Sequence, residues 1–179
     1  MSRHWRFVRR FLGIALLATP AVAQAQAYVG VALGVGGADV PIGSYASGFR
    51  GAFQLRGGYE VNQYFAIEAT TLNLGTPDDK PAGSLKTTVF GVGAVAVGTL
   101  RAESWRFNGR LGLISMEGKA EAASTERSAQ PTVGLAVGFD LQPNLTLGLE
   151  KNVSKVKFGT PISDTMSVNW TTLSAAYRF

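Results

Sequence analysis

The chain has 179 residues, among them 22 glycines and no cysteine, with 10% aromatic and 16% charged residues. That is the length of one domain, poorer in charge than the roughly 25% of a typical soluble domain, and without a thiol for a disulfide, a thiolate metal site or a nucleophile. The net charge of +5 loses its meaning once Arg3, Arg6, Arg9 and Arg10 are set aside, because 13 Lys+Arg then face 12 Asp+Glu, and so nearly neutral a body gives no reason to expect a nucleic-acid partner.

The first 27 residues carry those arginines, an apolar run from Phe11 to Ala18, a breaking Pro20, and the small-residue sites Ala21-Val22-Ala23, Ala23-Gln24-Ala25 and Ala25-Gln26-Ala27. This is the pattern of a secretory signal peptide cleaved between 23 and 27. A membrane-spanning helix needs about 20 apolar residues, and the run ends well short of that. The domain is therefore expected over 28–179. No later run there is long and apolar enough for a spanning helix, so any membrane crossing has to be made by a closed barrel.

From Tyr28 the sequence alternates in segments of about ten residues. Val29, Val31, Leu33 and Val35 alternate with Gly30, Ala32 and Gly34, and Phe49, Phe53, Leu55, Tyr59 and Val61 stand against Arg50, Gln54, Arg56 and Glu60. A third segment runs from Tyr64 to about Leu74, with Phe65 and Ile67 against Glu68 and Thr70. The fourth, about Thr87 to Leu100, is apolar on both faces, so its pattern assigns no orientation. The fifth, Trp105 to about Met116, sets Trp105, Phe107, Leu111 and Leu113 against Arg106, Asn108 and Arg110. The sixth alternates Val133, Leu135, Val137, Phe139 and Leu141 with Thr132, Gly134, Ala136, Gly138 and Asp140. The seventh sets Leu145, Leu147 and Leu149 against Thr146, Gly148 and Glu150, and the eighth, about Val168 to Phe179, ends on Leu173, Ala175, Tyr177 and Phe179.

Period-two alternation means strands. Connectors near Asn62, Ala102 and Pro143 are short, whereas those at 37–48, 75–86, 117–131 and 153–166 are long. One short end and one long end is the pattern of an outer-membrane barrel with periplasmic turns and extracellular loops. The expected fold is all-β, an eight-stranded antiparallel up-and-down transmembrane β-barrel in the Gram-negative outer membrane. A soluble β-sandwich or lipocalin-like barrel also alternates, but it needs a charged outer face, and here the second face is small and glycine-rich.

A loop at Val61–Gln63 would place Arg56 opposite Glu68 and Tyr59 beside Phe65; one at Gln142–Asn144 would pair Leu141 with Leu145 and Phe139 with Leu147. In that register Arg56, Glu68, Arg110 and Glu150 face inward at similar height. An unpaired ion there is costly, so a salt-bridge cluster filling the lumen is expected, joined by Gln54 and Asn108; separate solvation of the charges in water-filled pockets is the alternative.

Little else carries chemistry. Gly91, Gly93 and Ala96 match a loose dinucleotide-binding spacing, but strand-like residues follow where that motif needs a helix. Three Asn-x-Ser/Thr sequons, at Asn144, Asn152 and Asn169, are coincidental in a bacterial outer membrane. The only histidine, His4, departs with the leader, so no imidazole base or ligand remains; no enzyme, metal or cofactor is expected. Asp78-Asp79 reads as a solvated turn, Met116–Pro131 as a mobile exposed loop, and Lys155, Lys157, Phe158 and Asp164 as a loop whose cations more plainly suit water than lipopolysaccharide phosphates.

With the leader, "AYVGVALG", "GGYEVNQYFAIEA", "FNGRLGL" and the terminal "YRF", the chain resembles the small OmpA-like outer-membrane β-barrel family over about 28–179. The resemblance implies lumen ion pairs, for which Arg56, Glu68, Arg110 and Glu150 are the matching residues, and a terminal aromatic signal, Tyr177 and Phe179, read by the barrel-assembly machinery with periplasmic chaperones acting on the way. It implies contact with outer-membrane lipid and lipopolysaccharide, and no periplasmic peptidoglycan-binding domain follows the barrel in this sequence. The function expected is a monomeric, non-enzymatic structural or surface-interaction protein displaying four loops, open to an extracellular ligand. A narrow channel or small-ligand transporter is the alternative, and a lipid-acting enzyme a weaker one.

Overall fold

The computed structural model describes residues 26–39, 50–75, 87–120, 124–157, 159 and 165–179. They form β1 (Gln26–Asp39), β2 (Arg50–Asn62), β3 (Phe65–Leu74), β4 (Thr87–Ala102), β5 (Trp105–Ala120), β6 (Glu126–Gln142), β7 (Leu145–Lys157) and β8 (Thr165–Arg178). Each strand pairs antiparallel with its chain neighbours and β8 returns to β1, closing the barrel. The apolar residues of the alternation point outward: Leu33, Ile67, Leu111, Leu135, Leu149 and Leu173 are all exposed, Leu135 at 73%. A continuous apolar belt of that extent suits lipid and not water.

Closure also holds the chain end. Val29 lies opposite Tyr177 and Leu33 opposite Leu173, while the Phe179 amide donates to the Ala27 carbonyl at 3.0 Å. The Tyr177 and Phe179 rings stack edge to face at 5.4 Å. Short turns at Gln63–Tyr64, Glu103–Ser104 and Pro143–Asn144 lie at the same end as both strand termini. Residues 1–25 of the leader, Asp78-Asp79, Phe158 and Asp164 lie outside the described residues.

The register departs from expectation at two turns. Glu68 lies opposite Gly58, Tyr59 opposite Ile67, and Arg56 opposite Thr70, because the ladder shifts between Glu60 and Asn62. The Asn62 Oδ1 accepts the Tyr64 amide hydrogen at 2.8 Å, which tightens the turn to two residues. At the β6–β7 turn Phe139 meets Leu147 as expected, but a shift between Asp140 and Gln142 puts Gln142, and not Leu141, opposite Leu145. A bulge adds one residue to one strand, and alternation alone does not reveal it.

Two of the expected long connections are strand for much of their length. β5 and β6 stay paired through Glu117 opposite Arg127 and Gly118 opposite Glu126, so 116–120 and 126–131 are strand where a mobile loop is expected; Met116 is fully buried. β7 and β8 pair as far as Lys157 opposite Thr165, which places Lys155 and Lys157 on a strand. Cross-strand partners close each hairpin, and these a single segment's composition does not show.

The interior differs as well. A lumen lined by polar or tiny side chains is expected throughout, but the half away from the short turns is largely apolar: Leu72, Leu74, Val89, Ile114, Met116, Val156, Met166, Val168 and Trp170 pack together, each 0–2% exposed, with Arg50, Gln130 and Ser154 buried at the same level. The fourth strand's orientation is also resolved, with Val89, Val95 and Val97 inside and Phe90, Val92 and Leu100 outside. Trp170 anchors this apolar layer, and its truncation leaves a cavity with no partner to collapse into it. Trp170→Ala is expected to cost about 3–5 kcal/mol, read as a lower urea midpoint for the detergent-folded protein, and an unchanged midpoint would mean the layer does not support the barrel.

Candidate functional site in the barrel lumen

Every charged residue that a narrow lumen encloses must find a counter-charge there. Arg56, Glu68, Arg110 and Glu150 come from β2, β3, β5 and β7, all point inward, and are 2–8% exposed. Arg56 Nη2 lies 2.5 Å from Glu150 Oε1. Arg110 holds Glu68 through both guanidinium nitrogens, Nη2 to Oε1 and Nη1 to Oε2, and its Nη1 stands 3.8 Å from Glu150 Oε2, a charge contact beyond hydrogen-bond reach. Tyr28 donates its hydroxyl hydrogen to Glu68 Oε2 at 3.0 Å, which brings β1 into the same network.

The small residues leave room for these long side chains. A Cβ at Gly30 would stand 2.9 Å from Arg56 Nε, so the glycine of β1 is what lets the guanidinium cross toward β7. Gln54 is buried but its Oε1 has no hydrogen-bond partner, and Asn108 accepts from Thr99 Oγ1 at 2.8 Å. The expected role of these two in joining the four charges is therefore replaced by Tyr28.

A second layer, near the short turns, escaped sequence reasoning. Glu60 Oε1 receives Arg178 Nε at 2.7 Å and Arg106 Nη1 at 3.3 Å, and Glu60 Oε2 pairs with Arg101 at 3.0 Å. Asp140 takes Arg106 Nε at 2.7 Å and the Thr146 hydroxyl hydrogen. Arg178 Nη1 donates to Thr146 Oγ1 at 2.7 Å. Glu60, Arg106 and Asp140 all stand on faces that read as polar, but Arg178 joins them only because ring closure brings the last strand beside the first. Its position immediately before the terminal aromatic was the available signal. The two layers together tie a side chain from each of the eight strands across the lumen.

Between the layers lies a cavity of about 60 Å³ lined by Tyr28, Glu60, Glu68, Arg106 and Arg110 among others, room for a few waters. Above it the apolar layer begins. Among the described residues no group of three or more His, Cys, Asp or Glu is placed to hold a metal ion. Chemically, the arrangement braces a closed wall: buried cations and carboxylates in near balance, with no exposed nucleophile or base set apart from its partner.

The architecture is shared widely. A computed match to the family described as outer membrane protein beta-barrel domain covers residues 11–179. Among solved structures, Neisserial surface protein A is 15% identical, with a TM-score of 0.68 over 87% of this chain and 99% of that one. Ail, the attachment invasion locus protein of Yersinia pestis, is 17% identical, with a TM-score of 0.54 over 87% and 97%, and OprG from Pseudomonas aeruginosa is 9% identical, with 0.55 over 86% and 96%. Identities this low carry the fold alone. No curated protein sequence matches significantly. A closed barrel with an apolar outer belt, matched by the family from residue 11 to the last residue, belongs to the outer membrane protein β-barrel domain family, whose place is the outer membrane of Gram-negative bacteria.

Proposed function

We propose that the protein is a non-enzymatic, monomeric barrel with a sealed lumen, whose rigid wall holds four extracellular loops for a structural or surface-contact role. The observation that carries this reading is the stacking inside the barrel: a charge layer at the periplasmic end, a second charge layer above it, and an apolar layer whose members are 0–2% exposed. Eight strands leave an interior that side chains fill, and an ion crossing here would have to break buried pairs and then leave water altogether. The absence of cysteine, and of any histidine after His4, removes the commonest nucleophiles and bases and supports a role without turnover. Ail carries attachment and invasion in its name and has been solved with the heparin analogue sucrose octasulfate, which favours surface contact here by analogy.

The polar periplasmic half favours a second reading, a narrow channel or small-ligand transporter. The two separate cleanly in planar bilayers. The sealed barrel is expected to give no steady conductance at moderate voltage, and reproducible unitary steps from purified protein would overturn it.

Biogenesis follows from the same geometry. Cleavage after Ala23 or Ala25 leaves Gln26 opposite Glu60 and Ala27 as acceptor for Phe179, whereas cleavage after Ala27 would remove both, so we infer the earlier sites. Tyr177 and Phe179 are inferred to serve as the signal for the assembly machinery and its chaperones. Deleting Phe179 removes one backbone hydrogen bond and one ring contact, worth about 1–3 kcal/mol together, so refolding in detergent should survive while outer-membrane insertion in cells falls sharply; equal loss in both would leave the residue a purely structural role.

A further inference from the structure

The wall is not equally tall or equally charged around its circumference. β2 and β3 have 13 and 10 residues, whereas β4, β5 and β6 have 16, 16 and 17. Outward positions over β5–β7 carry a concentration of cations. Lys151, Lys155 and Lys157 follow one another up the lipid-facing side of β7, all exposed. Arg127 on β6 and Lys119 on β5 stand beside them, their side chains 63% and 61% exposed and sharing the single acid Glu117 at 3.1 and 3.2 Å. At the corresponding level β3, β4 and β8 present Asn73, Thr88 and Ser167, none of them charged.

The height of these lysines identifies what they meet. Strand rise of about 3.3 Å per residue at a tilt near 40° gives roughly 2.5 Å of height per residue. Counting from Leu145 at the periplasmic turn, Lys151 then stands about 15 Å up and Lys155 about 25 Å, the height of the apolar band itself. Lys155 and Lys157 are at the outer headgroup level. Lys151 is below it, between the outward Leu149 and Val153 on its own strand and opposite Leu135 and Thr171 on its neighbours. A lysine so placed runs its stem along the apolar wall and lifts its ammonium toward the headgroups. It thereby joins the two lysines above it.

We propose that the outer wall over β5–β7 is a docking strip for the phosphate groups of an outer-leaflet lipid, with Lys151, Lys155 and Lys157 as its main contacts and Lys119 and Arg127 at its edge. The occupant is membrane-resident because Lys151 is reached only from within the lipid-facing belt, which a soluble polyanion does not enter. Five cations against one carboxylate give the strip a net positive charge complementary to phosphate. It rests on the family orientation with the short turns in the periplasm, and not on the sealed lumen, so a conducting barrel that still bound the lipid would overturn only the earlier reading.

The test uses the full mature protein in phosphatidylcholine nanodiscs, titrated with bisphosphorylated lipid A, with bound lipid counted by native mass spectrometry. The wild type should bind this lipid and discriminate against the dephosphorylated form. Replacing all three lysines, K151Q/K155Q/K157Q, should weaken binding roughly 100-fold, while the arginine triple K151R/K155R/K157R retains it; exposed outward positions make both variants compatible with the folded barrel. Undiminished binding by the glutamine triple, equal binding of the dephosphorylated lipid, or full displacement of lipid by soluble heparin would each overturn the proposal.

Discussion

Inside a bilayer no water is available to a bare backbone amide, so every peptide group of a spanning sheet must pair within the sheet. Ring closure between β8 and β1 answers that constraint, and the rest of the structure follows from it. It removes both sheet edges, holds the aromatic C-terminus against the start of β1, and limits the interior to what eight strands enclose. A lumen of that width has to be filled, and each charge admitted to it has to be matched.

The filling is divided by height. The periplasmic half uses arginines and carboxylates that reach across the ring, and the far half uses mainly leucine, valine, isoleucine, methionine and tryptophan, with Arg50, Gln130 and Ser154 among them. Each half is held together by a different physical route. Buried ion pairs contribute little net stability, because desolvation offsets their attraction, but losing one partner is strongly destabilising; the polar layers therefore specify which strands face one another. The apolar layer contributes by burial and close packing.

The outer face was legible because lipid demands a large apolar residue at every second position, and Val29–Val35 of β1, Val133–Leu141 of β6 and Leu145–Leu149 of β7 meet that demand. The inward direction of Arg56, Glu68, Arg110 and Glu150 was legible for the same reason. Their partners were not: the register set by the tight turn and the bulge at Glu60–Asn62 makes Gly58, two residues from Arg56, the neighbour of Glu68, and bulges leave no mark on alternation. The layer of Glu60, Asp140, Arg106 and Arg178 depends on contacts up to 118 residues apart in sequence, which closure alone creates. The apolar half was hidden because the contrast inverts there: Leu72, Leu74, Ile114 and Met116 face inward while their outward neighbours Thr71, Asn73, Ser115 and Glu117 are polar, so the pattern read nearer the turns misassigns the face. Lys151 was passed over, although it continues the outward face of Leu145, Leu147 and Leu149.

That the lumen is held by complementary pairing, and not by water around isolated charges, is the claim on which the sealed-barrel account depends. Exchanging one pair tests it most directly: Arg56→Glu and Glu150→Arg separately, then together, with urea unfolding of the detergent-folded protein as the readout. Each single reversal sets like charges against each other in the buried layer and should destabilise by about 3–5 kcal/mol, while the exchanged pair should recover most of that loss, a coupling of about 2 kcal/mol or more. Single losses that simply add in the double variant would contradict the account.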